Sequence, residues 1–171
     1  MLEVKLHNLQ LSDAELFAKR ANDARISQNT SDRFPHPYTL RDAETFINRF
    51  SSQDPCSVFG IQYGTDLVGG IGLHFRDDIY CKTAELGYWV SPDFWGKGIA
   101  NEAIRLILPY GFAKFDLQVV VAHVFGRNKV SQHLLEKNGF NRLGVIPNGA
   151  FKLGKYEDDV IYFKENSQRT T

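Results

Sequence analysis

A chain of 171 residues, 43% of them hydrophobic, has the length and apolar content of one domain with a sizeable core. Lysine plus arginine and aspartate plus glutamate each total 20, and this zero formal charge argues against a nucleic-acid-binding protein that acts through bulk charge. The sequence has no apolar run of about 18 residues and no apolar signal-peptide stretch at its start, so we expect a cytoplasmic protein that does not enter a membrane.

The first part of the chain predicts one strand and two helices. Alternating apolar and charged residues over 2–6 are typical of an edge strand. Ser12 and Glu15 have the spacing of a capping box and predict the start of the first helix. Thr39 and Asp42 predict the cap of a second helix, whose apolar residues recur every three or four positions.

The middle of the chain changes to the periodicity of strands. Residues 58–63 and 67–75 predict a hairpin that turns at Gly64-Thr65-Asp66. Residues 69–72, Gly-Gly-Ile-Gly, predict a bulge or a close approach of another segment to the backbone. Residues 83–90 predict a further strand, which stops at a Ser-Pro dipeptide.

The following segments alternate between helix and strand. Residues 96–108 predict a helix that Pro109 ends or kinks. Residues 117–124 are nearly all apolar and predict a strand buried on both faces, as is common beside parallel neighbours. Residues 128–138 predict a short helix with Gly139 as its C-terminal cap.

Two last strands complete a mixed α/β domain over residues 1–171. They are predicted at residues 140–146 and 160–163, and the acidic run at 157–159 is interpreted as a solvated turn. Cys56 and Cys81 lack the spacing of a zinc site or a disulfide framework, so we expect reduced, half-buried thiols and no bound metal.

The first candidate site is the glycine turn Gly96-Lys97-Gly98-Ile99-Ala100, which lies between a predicted strand and a helix. Helix starts carry N–H groups without partners and a positive dipole end, and a side-chain-free turn at that place is suited to phosphate. The segment does not match the Walker or dinucleotide-binding patterns, and an ordinary tight turn is the alternative.

The second candidate site is Asn128 with Ser131, at the start of the next helix. The alternative is that Asn128 is only an N-cap and Ser131 a solvated helix residue. If the two preceding strands are adjacent and parallel, both helix starts open at one edge of the sheet, where a long phosphate-bearing ligand fits.

Together these segments resemble the GNAT superfamily of acyl-CoA-dependent N-acyltransferases, and within it the branch of ribosomal-protein N-terminal acetyltransferases. Residues 95–100 resemble the family's pyrophosphate loop, residues 85–90 its fourth strand, and Asn128-x-x-Ser131 with residues 135–140 its pantetheine-contacting helix. The resemblance implies a mostly antiparallel mixed sheet with a splayed parallel strand pair and helices on both faces. It also implies acetyl-CoA as cosubstrate, in contact with Trp89, Val90, Ser91, Trp95, Gly96, Lys97, Gly98, Ile99, Ala100, Asn128 and Ser131.

The implied reaction is direct attack of a primary amine on the thioester, with a backbone N–H near Val90 polarising the carbonyl. Glu85 is the candidate base because it begins the strand expected to line the cleft, and a plain salt-bridge partner is its alternative. Tyr88 is a further catalytic candidate. Leu135 stands where many members carry a tyrosine acid, so Ser131 or water is the expected substitute.

The acceptor remains open at this point. A protein or peptide N-terminus is favoured by the resemblance, with a polyamine or aminoglycoside as the alternative. Two alternatives from other functional classes are a non-catalytic acyl-CoA-binding module and a nucleotide-binding regulator. We expect a monomer or homodimer without a nucleic-acid or membrane partner.

Overall fold

The computed structural model describes residues 3–167 and contains seven strands and five α-helices in that range. The strands are β1 (Val4–His7), β2 (Val58–Tyr63), β3 (Asp66–Phe75), β4 (Thr83–Val90), β5 (Val119–Phe125), β6 (Asn141–Lys152) and β7 (Lys155–Glu165). The helices are α1 (Ala14–Ala21), α2 (Ala24–Ser27), α3 (Leu40–Phe50), α4 (Ile99–Phe115) and α5 (Lys129–Lys137).

The strands hydrogen-bond in the order β1-β2-β3-β4-β5-β7-β6, and β4 with β5 is a parallel pair in a mostly antiparallel sheet. The predicted mixed sheet with a parallel strand pair is therefore confirmed. The parallel pairing covers three residues of each strand and ends where Glu85 lies opposite Val121. The chain packs into two compact units, the first up to Gly72 together with Tyr88–Ile107, the second from Leu73–Gly87 and from Leu108 onward.

The first unit has an aromatic core built on α1, α3 and the end of β4. Phe17 is 1% exposed, stacks on Phe46 at 5.7 Å between ring centroids, and meets Trp89 edge-on at 5.1 Å. A Cβ at Gly70 would lie 2.8 Å from the indole nitrogen of Trp89, so only glycine lets the ring pack on the backbone of β3. The predicted close approach at the β3 glycines is confirmed.

The two predicted helix caps have different outcomes. At α3 the Thr39 N–H donates to the Asp42 carboxylate at 2.8 Å and the Asp42 N–H donates to the Thr39 hydroxyl at 3.3 Å, so this capping box is confirmed. The prediction at Ser12 is wrong, because Ser12 lies in a 3-10 turn and α1 begins only at Ala14. The carboxylate of Asp13 instead accepts from the Gln10 N–H and contacts His7, which places the capping interaction two residues earlier.

Helix α4 continues through Pro109 to Phe115, so of the two predicted outcomes, an end or a kink, the end at that proline is wrong. A proline removes one helical hydrogen bond, but here its ring is exposed while Ile107 and Leu108 before it are buried. In the second unit Gly111 of the same helix packs against Leu73 of β3. Burial of apolar residues on both sides of the proline offsets the missing bond and keeps the helix continuous.

Strand β5 alternates between buried and open side chains, so the prediction of burial on both faces is wrong. Val120, Ala122 and Val124 are buried, whereas His123 is exposed. Helix α5 accounts for the buried side, because the Tyr162 hydroxyl on β7 donates to Glu136 of α5 at 2.9 Å and Tyr162 pairs with Ala122. We call the opposite side, with Glu85 of β4 and the odd-numbered residues of β5 and β7, the open face.

The acidic run at residues 157–159 lies within β7 and is not a turn, which corrects the prediction. The hairpin turns instead at Leu153 and Gly154, the latter with a φ of +75°. Within the strand, neighbouring segments hold the carboxylates: Arg127 Nε donates to Glu157 at 2.7 Å, and the imidazole of His123 contacts Asp159.

Two smaller predictions concern a helix end and the thiols. Gly139 has a φ of +76° and its N–H donates to the Glu136 carbonyl at 2.9 Å, which confirms the predicted cap of α5. Both cysteines are free; Cys56 is half-buried as predicted, but Cys81 is exposed because it directly follows a short 3-10 turn on the surface.

Candidate functional site

The glycine turn has an unusual backbone in which Gly96 and Gly98 have φ angles of +74° and +75°. Residues other than glycine avoid this left-handed region, so the turn depends on both glycines. Helix α4 begins at Ile99, three residues later than predicted, and its first bond runs from the Glu102 N–H to the Gly98 carbonyl at 3.1 Å.

The surroundings of the turn are open. A Cβ built on Gly96 or on Gly98 would meet no atom within 4 Å, and residues 95–98 are exposed while Ile99 is buried. The amides that start α4 have no helical carbonyl to donate to and lie at the positive end of its dipole. The turn is therefore accessible and electropositive, and its polarity fits a diphosphate.

The strand end before the turn is held by backbone contacts within the first unit. A Cβ at Gly69 would lie 2.3 Å from the carbonyl oxygen of Trp89, so β3 and the end of β4 approach closely. The Ser91 N–H donates to the Val68 carbonyl at 2.8 Å, and the indole N–H of Trp95 donates to the Val90 carbonyl at 2.7 Å. The Ser91 amide is thus already engaged and is not the donor for a substrate carbonyl.

Cationic side chains gather beside the turn on the ring of Phe94. The guanidinium of Arg20 lies 4.7 Å and the ammonium of Lys97 4.9 Å from the ring centroid. Arg20 also approaches Asp93 at 3.6 Å, and its Nε is the one buried side-chain nitrogen or oxygen in residues 3–167 that has no hydrogen-bond partner. These two cations on the ring of Phe94 add positive electrostatic potential beside the backbone amides of the turn.

Tyr88 is half-buried in β4, next to Trp89. The core around Trp89 also holds Tyr38, where burial raises the pKa of the phenol well above its ordinary value and keeps it protonated. Trp89 is enclosed by Phe17 and by Phe34, whose ring centroid lies 5.6 Å from that of Trp89. Trp89 thus packs as part of the core wall behind the turn.

In the second unit, Asn128 is the N-cap of α5, as predicted by the alternative in which it has a capping role. Its side-chain oxygen accepts from the Ser131 N–H at 3.2 Å, so capping uses that oxygen. The Ser131 side chain is half-buried one turn into the helix. Leu135 is fully buried, and its aliphatic side chain carries no proton that it could give to a leaving group.

Glu85 lies in β4 opposite Val121 of β5, at the last step of the parallel pairing. Its side chain is half-buried and makes no hydrogen bond or ion pair with any residue of the described range 3–167. A carboxylate left open on a sheet face is available to a cationic group.

Sequence reasoning missed two features of these regions. The first is the pair of cations on Phe94, because Arg20 is distant in the chain. The second is the contact between His123 and Asp159, 36 residues apart. Within residues 3–167 no three His, Cys, Asp or Glu side chains are grouped to bind a metal, and no helix is long and apolar enough to cross a membrane.

Comparison with known proteins gives a family match over most of the chain. The model of a family described as acetyltransferase (GNAT) domain matches residues 3–141. The uncharacterized N-acetyltransferase YoaA and YdaF, which has a provisional name as a ribosomal N-acetyltransferase, both come from Bacillus subtilis. They are 34% and 35% identical over 109 and 103 residues, 60% of this chain in each case. The chain spans about three fifths of these relatives, 61% and 56% of their lengths.

Two further relatives differ in how much of their length aligns with this chain. YjcK of Bacillus subtilis, named as a probable N-acetyltransferase, is 31% identical over 160 residues, 90% of this chain and 88% of its own. The spermidine N(1)-acetyltransferase of Escherichia coli is 30% identical over 79 residues, 46% of this chain and 42% of its own.

Solved structures share the fold. The microcin C7 self-immunity acetyltransferase MccE, solved in complex with acetyl-CoA and AMP, has a TM-score of 0.78 and 26% identity, covering 96% of this chain and 93% of that one. The ribosomal-protein-S5-alanine acetyltransferase from Vibrio fischeri has a TM-score of 0.82, covers 99% of this chain and 96% of that one, and at 19% identity shows the fold alone.

Proposed function

The chain belongs to the GNAT acetyltransferase family, and on that premise we propose that it transfers an acetyl group from acetyl-CoA to a primary amine. The observation that carries the proposal is the open glycine turn at the start of α4, with two left-handed glycines and free space above them. The favoured acceptor is the N-terminal amine of a protein or peptide. We further propose that the protein works in the cytoplasm as a monomer or homodimer and without nucleic acid or a metal ion.

The residues of the turn fit the diphosphate of acetyl-CoA, which when bound supplies an activated acetyl thioester. Gly96, Gly98 and the amides of Ile99 and Ala100 would hold the diphosphate, with Lys97 adding positive charge. Trp89, Val90, Ser91 and Trp95 would shape the wall on which the cosubstrate lies. Asn128 and Ser131 are proposed to contact its pantetheine arm.

The acceptor must lose a proton before it can attack. At pH 7 this costs about 1 kcal/mol for an α-amine of pKa about 7.7–8.0 and roughly 4–5 kcal/mol for a lysine of pKa about 10.4. Glu85 is proposed to attract the cationic amine and to accept its proton directly or through water, since its carboxylate is open to solvent and unpaired within residues 3–167. An α-amine makes the smaller demand on such a base, which supports the N-terminal acceptor.

The departing thiolate needs a proton or a hydrogen bond. Leu135 offers neither, so Ser131 or a water molecule is proposed for this role. Removal of the Ser131 hydroxyl would separate these possibilities. Tyr88 is a further candidate for the base that deprotonates the amine.

A polyamine is the second candidate acceptor. The similarity over 79 residues to a spermidine acetyltransferase favours it, and so does the carboxylate of Glu85 on the open face, unpaired among the described residues, because a polycation is attracted to negative charge. A low-pKa α-amine needs little help from a base to lose its proton, whereas the more basic amines of a polyamine need more.

The test is a thiol-release assay with acetyl-CoA and three acceptors. These are a peptide with a free N-terminus, the same peptide with a blocked N-terminus and one lysine, and spermidine. We expect the free N-terminus to give the highest kcat/KM. Spermidine as the best acceptor would instead establish the second candidate. Binding of CoA by calorimetry without turnover on any amine would support a non-catalytic acyl-CoA-binding module, and absence of CoA binding would refute the proposal.

A further inference from the structure

An imidazole–carboxylate pair lies on the open face of the second unit, outside the segments assigned so far. Nδ1 of His123 on β5 is 2.8 Å from Oδ2 of Asp159 on β7. The side chain of Asp159 is 17% exposed and that of His123 is 33% exposed. The carboxylate is thus the more enclosed partner, and the imidazole extends toward solvent.

The contact determines which ring nitrogen is available. An ionised carboxylate only accepts hydrogen bonds, so the Nδ1 atom of His123 must carry the proton that it donates to Asp159. In the neutral ring Nε2 is then an acceptor with a lone pair. Asp159 therefore holds His123 in the tautomer that can take up a proton at Nε2.

The register of the strands places this imidazole near Glu85. The parallel pairing ends with Glu85 opposite Val121, and His123 follows two residues later on the same face, about 6.6 Å further along β5. Because residues directly opposite each other share a face, Ile161 and Asp159 of β7 point to that side as well.

The open face carries other titratable and charged groups, among them Glu165 at the far end of β7, opposite Val119. On β3 and β4, Nε2 of His74 lies 3.3 Å from where a Cβ of Gly87 would be, and Glu85 is two residues before that glycine. Beyond β5 and on β7 the face carries the ion pair of Arg127 with Glu157. Glu136 of α5 accepts from the hydroxyl of Tyr162 on β7, which lies on the opposite side of the sheet, so that carboxylate does not face His123.

We propose that His123 is a catalytic residue that accepts the proton lost by the acceptor's ammonium group, and that Asp159 is its positioning residue. This inference rests on the proposed function and deepens it. The carboxylate of Glu85 attracts and holds the ammonium, as proposed above, but the proton passes to Nε2 of His123 in place of Glu85. The neutral amine then forms the new N–C bond while the C–S bond of the thioester breaks and the sulfur leaves as thiolate. The nitrogen gives up its second proton, which the thiolate takes up directly or through water, and His123 returns the first proton to solvent.

The variants His123→Gln and Asp159→Asn test this assignment in the full-length chain. His7→Gln is the matched control, because His7 also contacts an aspartate at 2.8 Å, Asp13, but at the edge strand β1. Thiol release is followed from pH 5.5 to 9 with a peptide α-amine and with a lysine side-chain amine. Thermal unfolding and CoA affinity are measured for each variant.

A base contributes most where the amine is hardest to deprotonate. We expect His123→Gln to lower kcat/KM about 100-fold for the lysine amine and about tenfold or less for the α-amine, with CoA affinity unchanged. In His123→Gln only the neutral amine can react, so its rate should follow the ionisation of the amine itself, and its pH profile should differ from that of wild type, in which the ammonium form also reacts. Asp159→Asn should cause a smaller loss, and His7→Gln should leave both amines unaffected.

A merely structural pair would lower the rates for both amines equally and would keep the pH profile, and that result would overturn the inference. Nitrogen-detected NMR of the ligand-free protein gives an independent readout: an Nδ1–H tautomer of His123 is expected, and an Nε2–H tautomer contradicts the assignment. If wild-type protein is active and His123→Gln is equally active, this inference alone is refuted. No turnover by wild-type protein on any amine refutes the proposed function and the inference together.

Discussion

Replacing Gly98 by alanine tests whether the backbone conformation of the glycine turn makes the cosubstrate site. The φ of Gly98 is +75°, and a Cβ there would meet no atom within 4 Å, so the added methyl group causes no collision. The whole effect comes from the left-handed backbone, which costs an L-residue about 1–2 kcal/mol. Because the space around it is open, the turn of Gly98→Ala can relieve this strain by leaving the left-handed region.

Binding of CoA would then have to restore the strained conformation. We expect its Kd to rise about 5- to 30-fold, since 1.4 kcal/mol corresponds to a factor of about ten. Isothermal titration calorimetry with CoA measures the affinity, and urea unfolding measures the stability. Asparagine tolerates the left-handed region better than alanine does, so Gly98→Asn should lose less affinity.

Gly154→Ala is the matched control for this experiment. Gly154 has the same φ of +75° and the same open surroundings, but it lies in the turn between β6 and β7. It should lose up to about 1–2 kcal/mol of stability and bind CoA within about twofold of wild type. A folded Gly98→Ala protein with wild-type affinity, or an equal loss of affinity in Gly154→Ala, would refute the reasoning.

Three further predictions concern Glu85, the packing of the core and the pH dependence of stability. Glu85→Gln should lower kcat at least about tenfold with unchanged CoA affinity, as steady-state kinetics and calorimetry will show; an unchanged kcat from pH 6 to 9 would exclude a catalytic carboxylate. Gly69→Ala should lower the free energy of unfolding by about 1–3 kcal/mol or more, because its Cβ would lie 2.3 Å from the carbonyl oxygen of Trp89, and an unchanged urea midpoint would contradict this contact. Hydrogen bonds from Thr39 lower the pKa of Asp42, so its ionised form is stabilised in the fold. That stability is present above the ordinary carboxyl pKa and is lost as pH falls through the lowered value. Urea midpoints of wild type and Asp42→Asn should therefore differ at pH 7 and converge toward pH 2, and a constant difference would argue against the linkage.

Features that depend on neighbours in the chain were predicted best. The capping box of α3 involves residues three positions apart, and the structure shows it as expected. The strand at residues 83–90 was predicted with its observed bounds, because its apolar pattern and the Ser-Pro stop are local signals. The glycine turn belongs here too, since two left-handed residues leave glycine as the natural choice.

Features that depend on packing were predicted less well. The apolar run at residues 117–124 suggested burial on both faces, but α5 covers only one side of β5. Pro109 suggested a helix end, but the buried residues around it keep α4 continuous. Composition alone does not say which face of a strand a helix will cover.

The amino-acid sequence by itself determined the glycine turn and the order of all elements except the short helix α2, because these follow from hydrogen bonds and backbone preferences within a few residues, and its motifs carried the resemblance to the family. Only the tertiary structure decided that His123 and Asp159, 36 residues apart, form a pair on the open face beside Glu85. Such a pair depends on which strands are adjacent and in which register, and both are set by burial summed over the whole sheet.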